Sequence, residues 1–250
     1  MTAHSLADLT DIALLDNVAQ KATAARRLLK HAARDFAPAA FSTSLGAEDM
    51  VVLDLIAQHD LDIDVFSLDT GRLPAETYEV LAQAEQRYGR RIAVYSPRHD
   101  IVEAFVSDYG INGFYDSIEA RKACCHARKV EPLQRALAGK KAWVTGLRAE
   151  QATTRSGLKP LSHDDVFDLV KVNPLHDWSE REVWAYIRAN DLPYNKLHDR
   201  GYPSIGCAPC TRAVQPGEDV RAGRWWWESA DTKECGLHVV DGKLARTKAA

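Results

Sequence analysis

The sequence predicts an α/β protein: a mainly parallel, twisted sheet with helices on both faces. Three observations carry that reading. Short apolar runs alternate along the chain with longer segments of helical period, the pattern of a parallel sheet buried on both faces. The strand-like runs end in hydroxyl- or glycine-bearing turns that open helices, as in Ser42–Asp49 and Asp69–Arg72. The length of 250 residues suits one generous α/β domain.

The elements follow in order. Residues 11–35 have a helical pattern, with Ile12, Leu14, Leu15, Val18, Leu28 and Leu29 as apolar faces. Ala39–Ser44 is the first expected strand and runs into Ser42-Thr-Ser-Leu-Gly-Ala-Glu-Asp49. A helix follows from Glu48 to His59. A strand, a hydroxyl-rich turn and a helix N-terminus form a phosphate-binding layout, because free backbone N–H groups and the helix dipole favour an anion. Asp64–Leu68 is the second strand. Pro74 opens a helix to Tyr88 that Gly89 ends. Ile92–Tyr95 is a third strand and His99–Tyr109 a further helix. Ile118–Val130 is helical by pattern, with Pro132 kinking or restarting it. Lys141–Leu147 and Val166–Val172 are strands. Ser179 and Glu182 form a capping box for a helix ending near Asp191, before Pro193. Glycine and proline then punctuate a loop-rich stretch. Residues 1–230 are expected to form one domain, and the polar residues 231–250 a mobile tail.

Composition narrows the function. Apolar (46%) and charged (27%) fractions are those of a soluble globular protein. A net charge of −3 supplies no basic field, so no nucleic-acid partner is expected. The N-terminus lacks the pattern of a signal peptide, and no apolar run approaches the ~18 residues of a membrane span. A cytoplasmic location without a membrane partner is therefore expected, and that compartment keeps thiols reduced.

The five cysteines then read as ligands or a nucleophile. Cys124 and Cys125 are adjacent in Arg121-Lys-Ala-Cys-Cys-His-Ala-Arg-Lys129. Cys207 and Cys210 have metal-ligand spacing in Gly206-Cys-Ala-Pro-Cys-Thr211. Adjacent side chains on a helix diverge by ~100°, so one tetrahedral zinc would strain to accept both Cys124 and Cys125. An iron–sulfur cluster offers separated corners. Zinc and a purely redox or structural role are the alternatives. Arg128 and Lys129 follow Cys124 and Cys125 by four residues each, placing cations on the cysteines' helical faces. Cys235, in Lys233-Glu-Cys-Gly-Leu-His238, is the candidate nucleophile, with Lys233 and His238 favouring its thiolate. Arg221 and Arg224 flank Ala222-Gly223 and can fork onto a phosphate or sulfate. Trp225-Trp226-Trp227 reads as packing that anchors this loop.

These motifs together resemble the assimilatory adenylyl-sulfate (APS) and 3′-phosphoadenylyl-sulfate (PAPS) reductase family. The resemblance rests on Ser42–Asp49, Leu68-Asp-Thr-Gly-Arg72, the two cysteine pairs, Thr145-Gly-Leu-Arg148 with Thr154-Arg155, and Glu234-Cys-Gly-Leu-His238. It spans the chain from about Phe41 to His238. The four paired cysteines resemble the cluster-bearing branch, which mainly reduces APS. The resemblance implies an adenine-nucleotide α-hydrolase-like fold and one 4Fe–4S cluster on Cys124, Cys125, Cys207 and Cys210, structural and electrostatic in role. It implies nucleotide contacts at Ser44, Leu68, Gly146 and Arg155, and substrate contacts at Lys129, Arg221, Arg224 and His238. Cys235 would attack the sulfur of APS, expel AMP and form an S-sulfonated cysteine. Reduced thioredoxin, or glutaredoxin, would then release sulfite, in assimilatory sulfate reduction and cysteine biosynthesis. Related ATP pyrophosphatases carry Ser-Gly-Gly-x-Asp-Ser where this chain has Ser44-Leu-Gly-Ala-Glu-Asp49, so ATP cleavage is not expected. A PAPS reductase and a zinc-stabilised nucleotide-binding regulator are the competing readings, and homo-oligomer formation is left open.

Overall fold

The structure is a computed structural model and describes residues 9–151 and 157–229. The expected tail, with Cys235 and His238, and also Arg155 lie outside the described residues.

A six-stranded sheet in the order β3-β2-β1-β4-β6-β5 organises the chain. Strands β1 (Ala39–Thr43), β2 (Ile63–Leu68), β3 (Ala93–Tyr95), β4 (Ala142–Val144) and β6 (Leu169–Val172) pair in parallel. Strand β5 (Leu161–Asp164) pairs antiparallel with β6 at one edge. Helices α1 (Ile12–Asp35), α2 (Ala47–Ala57), α3 (Ala75–Tyr88), α4 (His99–Tyr109), α5 (Ile118–Cys125), α6 (Glu131–Leu137) and α7 (Glu180–Ala189) complete the fold.

Side chains alternate between the faces of a strand, and β1 shows what each face meets. Phe41 packs with Leu29 of α1, Met50 and Ile56 of α2, and Val183 and Ile187 of α7. Its neighbour Ala40 points to the other face, where Phe66, Trp143, Leu133 and Leu137 close a second cluster under α6. Inside the larger cluster, the buried Asp54 carboxylate accepts from Tyr88 Oη (3.0 Å), Tyr186 Oη (2.8 Å) and Gln58 Nε2 (2.8 Å). One acid thus ties α2, α3 and α7 together. Burial, then the Asp54 charge, holds both phenols well above the usual tyrosine range.

Two expectations are corrected. The run 166–172 is a strand only from Leu169. Asp164 Oδ1 accepts from the backbone N–H of Val166 and Phe167, which folds a hairpin turn and adds β5 at the edge. The run 118–130 is an α-helix only to Cys125, and His126–Val130 forms a π-helical turn before α6. Pro132 has no N–H to give back, and its ring clashes with the carbonyl four residues earlier. A widened turn absorbs both, and such turns concentrate at functional sites.

Candidate nucleotide and four-cysteine site

A cavity of ≈ 440 Å³ opens at the carboxyl ends of β1, β2 and β4, where open α/β sheets bind ligands. Six of the expected contact residues line it together: Ser44, Leu68, Lys129, Gly146, Arg221 and Arg224. They come from five separate stretches of chain, which the sheet topology gathers.

The first donors of the β1–α2 turn are spent internally. Ser44 donates its N–H (2.6 Å) and Oγ–H (2.7 Å) to Asp49 Oδ2, and Leu45 donates its N–H to Thr43 Oγ1 (3.0 Å). Leu45 takes a left-handed φ of 60° to make the turn. Burial pushes the Asp49 carboxyl up to about 7; the Ser44 hydrogen bonds oppose that rise and the neighbouring Glu48 charge adds to it. Gly146 backs directly onto this acid. A Cβ there would sit 2.1 Å from Asp49 Oδ1, so only glycine lets β4 approach so closely. Arg148 is buried and committed to the fold: its guanidinium meets Glu48 (2.9 Å), Glu150 (2.7 Å) and the Trp178 carbonyl (3.3 Å).

A second, smaller cavity of ≈ 20 Å³ is lined by all four paired cysteines, Cys124, Cys125, Cys207 and Cys210. Cys124, Cys125 and Cys207 are buried, and none of the four is in a disulfide. Burial, then the charges of the neighbouring thiols, pushes Cys210 up to about 12, and burial likewise raises Cys124. Such a set ionises only with compensating positive charge, which bound metal supplies. Arg128 lies beside Cys124, donates Nη1–H to the Thr70 carbonyl (2.8 Å), and leaves its buried Nε without a hydrogen-bond partner. A donor orphaned beside four sulfurs fits an anionic cluster as its missing acceptor. Among the described residues, no group of three or more His, Cys, Asp or Glu side chains is arranged to hold a single metal ion.

The two cavities share walls. Lys129, Arg224 and Trp225 line both. Thr70, buried in the turn after β2, lines the larger cavity and accepts a hydrogen bond from Cys207 Sγ at 3.3 Å. Nothing in the sequence around Thr70 or Asp49 set them apart from their neighbours in the same motifs. Their roles come from contacts across 137 residues in one case and a tight turn of five in the other.

The loop carrying Arg221 and Arg224 is fixed by tertiary contacts. Arg224 is buried, donates Nη1–H to Ser204 Oγ and the Ile205 carbonyl (both 3.3 Å), and lies over the Trp225 ring at 4.8 Å. Trp225 is buried between Arg224 and Arg121, whose guanidinium lies 4.9 Å from the ring on its way to Glu228. Trp227 packs on Tyr115 and Phe114, while Trp226 is exposed. The expected anchoring role therefore belongs to Trp225 and Trp227. The Arg121–Glu228 pair, at 2.8 Å with both side chains buried, clamps the segment leading to the tail. Arg121→Ala strands a buried carboxylate and should cost about 3–5 kcal/mol. Chemical denaturation checks this, and an Arg121→Met, Glu228→Leu double variant should recover most of the loss.

Comparison with known proteins agrees with this geometry. Residues 38–213 match the family described as the phosphoadenosine phosphosulfate reductase domain. An adenosine 5′-phosphosulfate reductase of Allochromatium vinosum is 57% identical over 223 residues, covering 89% of this chain and 87% of the relative. One from Burkholderia cepacia is 56% identical over 80% of each chain. The crystal structure of a phosphoadenylyl-sulfate reductase from Candida auris, a phosphate complex, superposes with a TM-score of 0.66 at 27% identity, covering 80% of this chain and 97% of that one. A Candida glabrata FMN adenylyltransferase shares the fold at a TM-score of 0.56 and 15% identity, over 88% of this chain and 78% of that one. By sequence and by structure, the chain belongs to the phosphoadenosine phosphosulfate reductase domain family.

Proposed function

We propose that this protein reduces adenosine 5′-phosphosulfate to sulfite and AMP, with reduced thioredoxin or a similar dithiol as electron donor. The observation that carries the proposal is the shared wall: a nucleotide-sized cavity and a four-cysteine cavity meet at Lys129 and Arg224. The names of the relatives above 50% identity support APS as the substrate.

The chemistry places a demand that these residues meet. A thiolate must approach an already anionic sulfonyl group. Fixed cations in a site that excludes water serve this better than mobile ones, because they need no reorganisation as the reaction proceeds. Arg224 is held by Ser204, Ile205 and Trp225 before any substrate arrives. Lys129 and Arg221 add charge on the same cavity. Leu68 and Gly146, which the family resemblance assigns to the nucleotide, line the same cavity, and Ser44 is pinned by Asp49. Arg155, Cys235 and His238 complete the assignment from sequence.

In the proposed reaction the Cys235 thiolate attacks the sulfur of APS. An S–S bond forms, the S–O bond to the phosphate breaks, and AMP leaves with that electron pair. A thiolate of the reductant then attacks the Cys235 sulfur and releases sulfite. Its second thiol resolves the mixed disulfide, so the dithiol is oxidised as sulfate is reduced to sulfite. Cys124, Cys125, Cys207 and Cys210 would hold a 4Fe–4S cluster, which supplies a structural clamp and a fixed charge beside Lys129. The reducing cytoplasm suits both the thiols and the donor, and no helix among the described residues is long and apolar enough to cross a membrane.

The test is turnover of purified protein with APS and with PAPS, using reduced thioredoxin and measuring sulfite. APS should be turned over and PAPS much more poorly. Equal or better use of PAPS would move the protein to the other branch, and no sulfite from either would refute the proposal.

A further inference from the structure

Two serines at the end of β1 line the large cavity, and their hydroxyls are committed in opposite senses. Ser42 Oγ accepts from the indole Nε1–H of Trp143 at 2.7 Å. An indole only donates, so the Ser42 proton is left for another partner. Ser44 is the reverse case. It is exposed, and its hydroxyl donates to Asp49 Oδ2 at 2.7 Å while its backbone N–H donates to the same oxygen at 2.6 Å. A carboxylate only accepts, so the Ser44 oxygen offers the cavity lone pairs alone. Gly46 leaves that oxygen approachable, since even a Cβ there would stand 3.4 Å from it. The other Asp49 oxygen is backed by Gly146, which holds the carboxylate in place. The cations stand apart from this pair: Lys129 and Arg224 lie on the wall shared with the cysteines.

We propose that Asp49 is a positioning residue that fixes Ser44 as a hydrogen-bond acceptor, so that Ser42 and Ser44 together read the nucleoside of the ligand and not its anionic tail. A phosphate or sulfate oxygen brings lone pairs, which would face those of Ser44. A ribose hydroxyl or the adenine 6-amino group brings the donor that Ser44 needs. The ribose diol and the adenine edge each carry an acceptor for Ser42 as well. The anionic tail is then left to Lys129, Arg221 and Arg224, which line the same cavity.

This inference rests on the nucleotide reading of the cavity, and the experiment separates the two. Adenosine and ADP are titrated by calorimetry at about pH 8.5, so that the Asp49 carboxyl, which burial pushes up to about 7, is ionised. In Ser44→Ala, affinity for adenosine should fall about tenfold while the ADP-to-adenosine affinity ratio stays within about twofold. In Asp49→Asn the side-chain amide can donate to Ser44 and release the hydroxyl proton toward the cavity. Adenosine should then weaken, and the ADP-to-adenosine ratio should rise about fivefold. 2′-Deoxyadenosine, 3′-deoxyadenosine and inosine identify the donor: the analogue that lacks it should bind the unaltered protein about tenfold more weakly than adenosine, a difference that Ser44→Ala removes. Ser44→Ala that leaves adenosine binding unchanged and weakens only ADP overturns the proposal, because Ser44 then serves the anion. An unchanged ratio in folded Asp49→Asn overturns it too, as does equal binding of all three analogues. Failure of the unaltered protein to bind either adenosine or ADP would instead count against the nucleotide reading.

Discussion

Cys125→Ser yields a protein without visible iron–sulfur absorbance, with little bound iron and with turnover at background. Serine is close to cysteine in size, so packing around the buried position changes little and the effect isolates the ligand. Iron in such clusters is held by soft thiolates, and a serine hydroxyl replaces one poorly. The remaining three thiols, Cys124, Cys207 and Cys210, still line the cavity with Arg128 beside them. Without the cluster, however, Arg128 Nε lacks an acceptor and the loop of Cys207 and Cys210 loses its tie to α5. Lys129 and Arg224 stand on the shared wall, so their placement toward the nucleotide cavity should loosen too. Iron analysis and the absorption spectrum of anaerobically purified protein read the first effect directly. A zinc-bearing, colourless wild-type protein would replace the cluster with the zinc-stabilised alternative. A colourless but fully active variant would remove the cluster from the account.

Cys235→Ser should behave in the opposite way: full chromophore, unaltered nucleotide binding, and no S-sulfonated product. The buried clamp between Arg121 and Glu228 precedes Cys235 in the chain. A serine hydroxyl at neutral pH is a far weaker nucleophile than a thiolate. It also could not be released by a dithiol as sulfite, because that step needs an S–S bond. Turnover should therefore fall below detection while ADP affinity stays within about twofold. Retained turnover would assign the nucleophile elsewhere.

Much of the fold was legible because buried parallel strands and amphipathic helices leave strong periodic signals. The β1-to-α3 stretch and the capping box of α7 lie within a few residues of their expected places. What was hidden depended on side chains far apart in sequence or on a single polar atom. Strand β5 has only four residues, and the Asp164 turn that creates it breaks what reads as one apolar run. The π turn arises from Pro132, whose effect was visible, but its placement directly after Cys125 was not. At the site, the residue types in each motif announced chemistry, and the cavity gathers six of them. The turn 42–49 looked like an open anion seat because its donors are backbone and hydroxyl groups. Only the structure shows that Asp49 holds both donors of Ser44. Arg148, in the same motif as Gly146, is bound by Glu48 and Glu150.

The central claim is that a cysteine of this chain takes the sulfonyl group from APS. It is tested most directly by mixing reduced, anaerobic protein with excess APS and no dithiol, then measuring AMP and the intact protein mass. The account predicts one burst of AMP equal to the protein present, with a sulfonate added at Cys235 and removed as sulfite when thioredoxin is supplied. No AMP burst, or AMP released without a protein adduct, would contradict it.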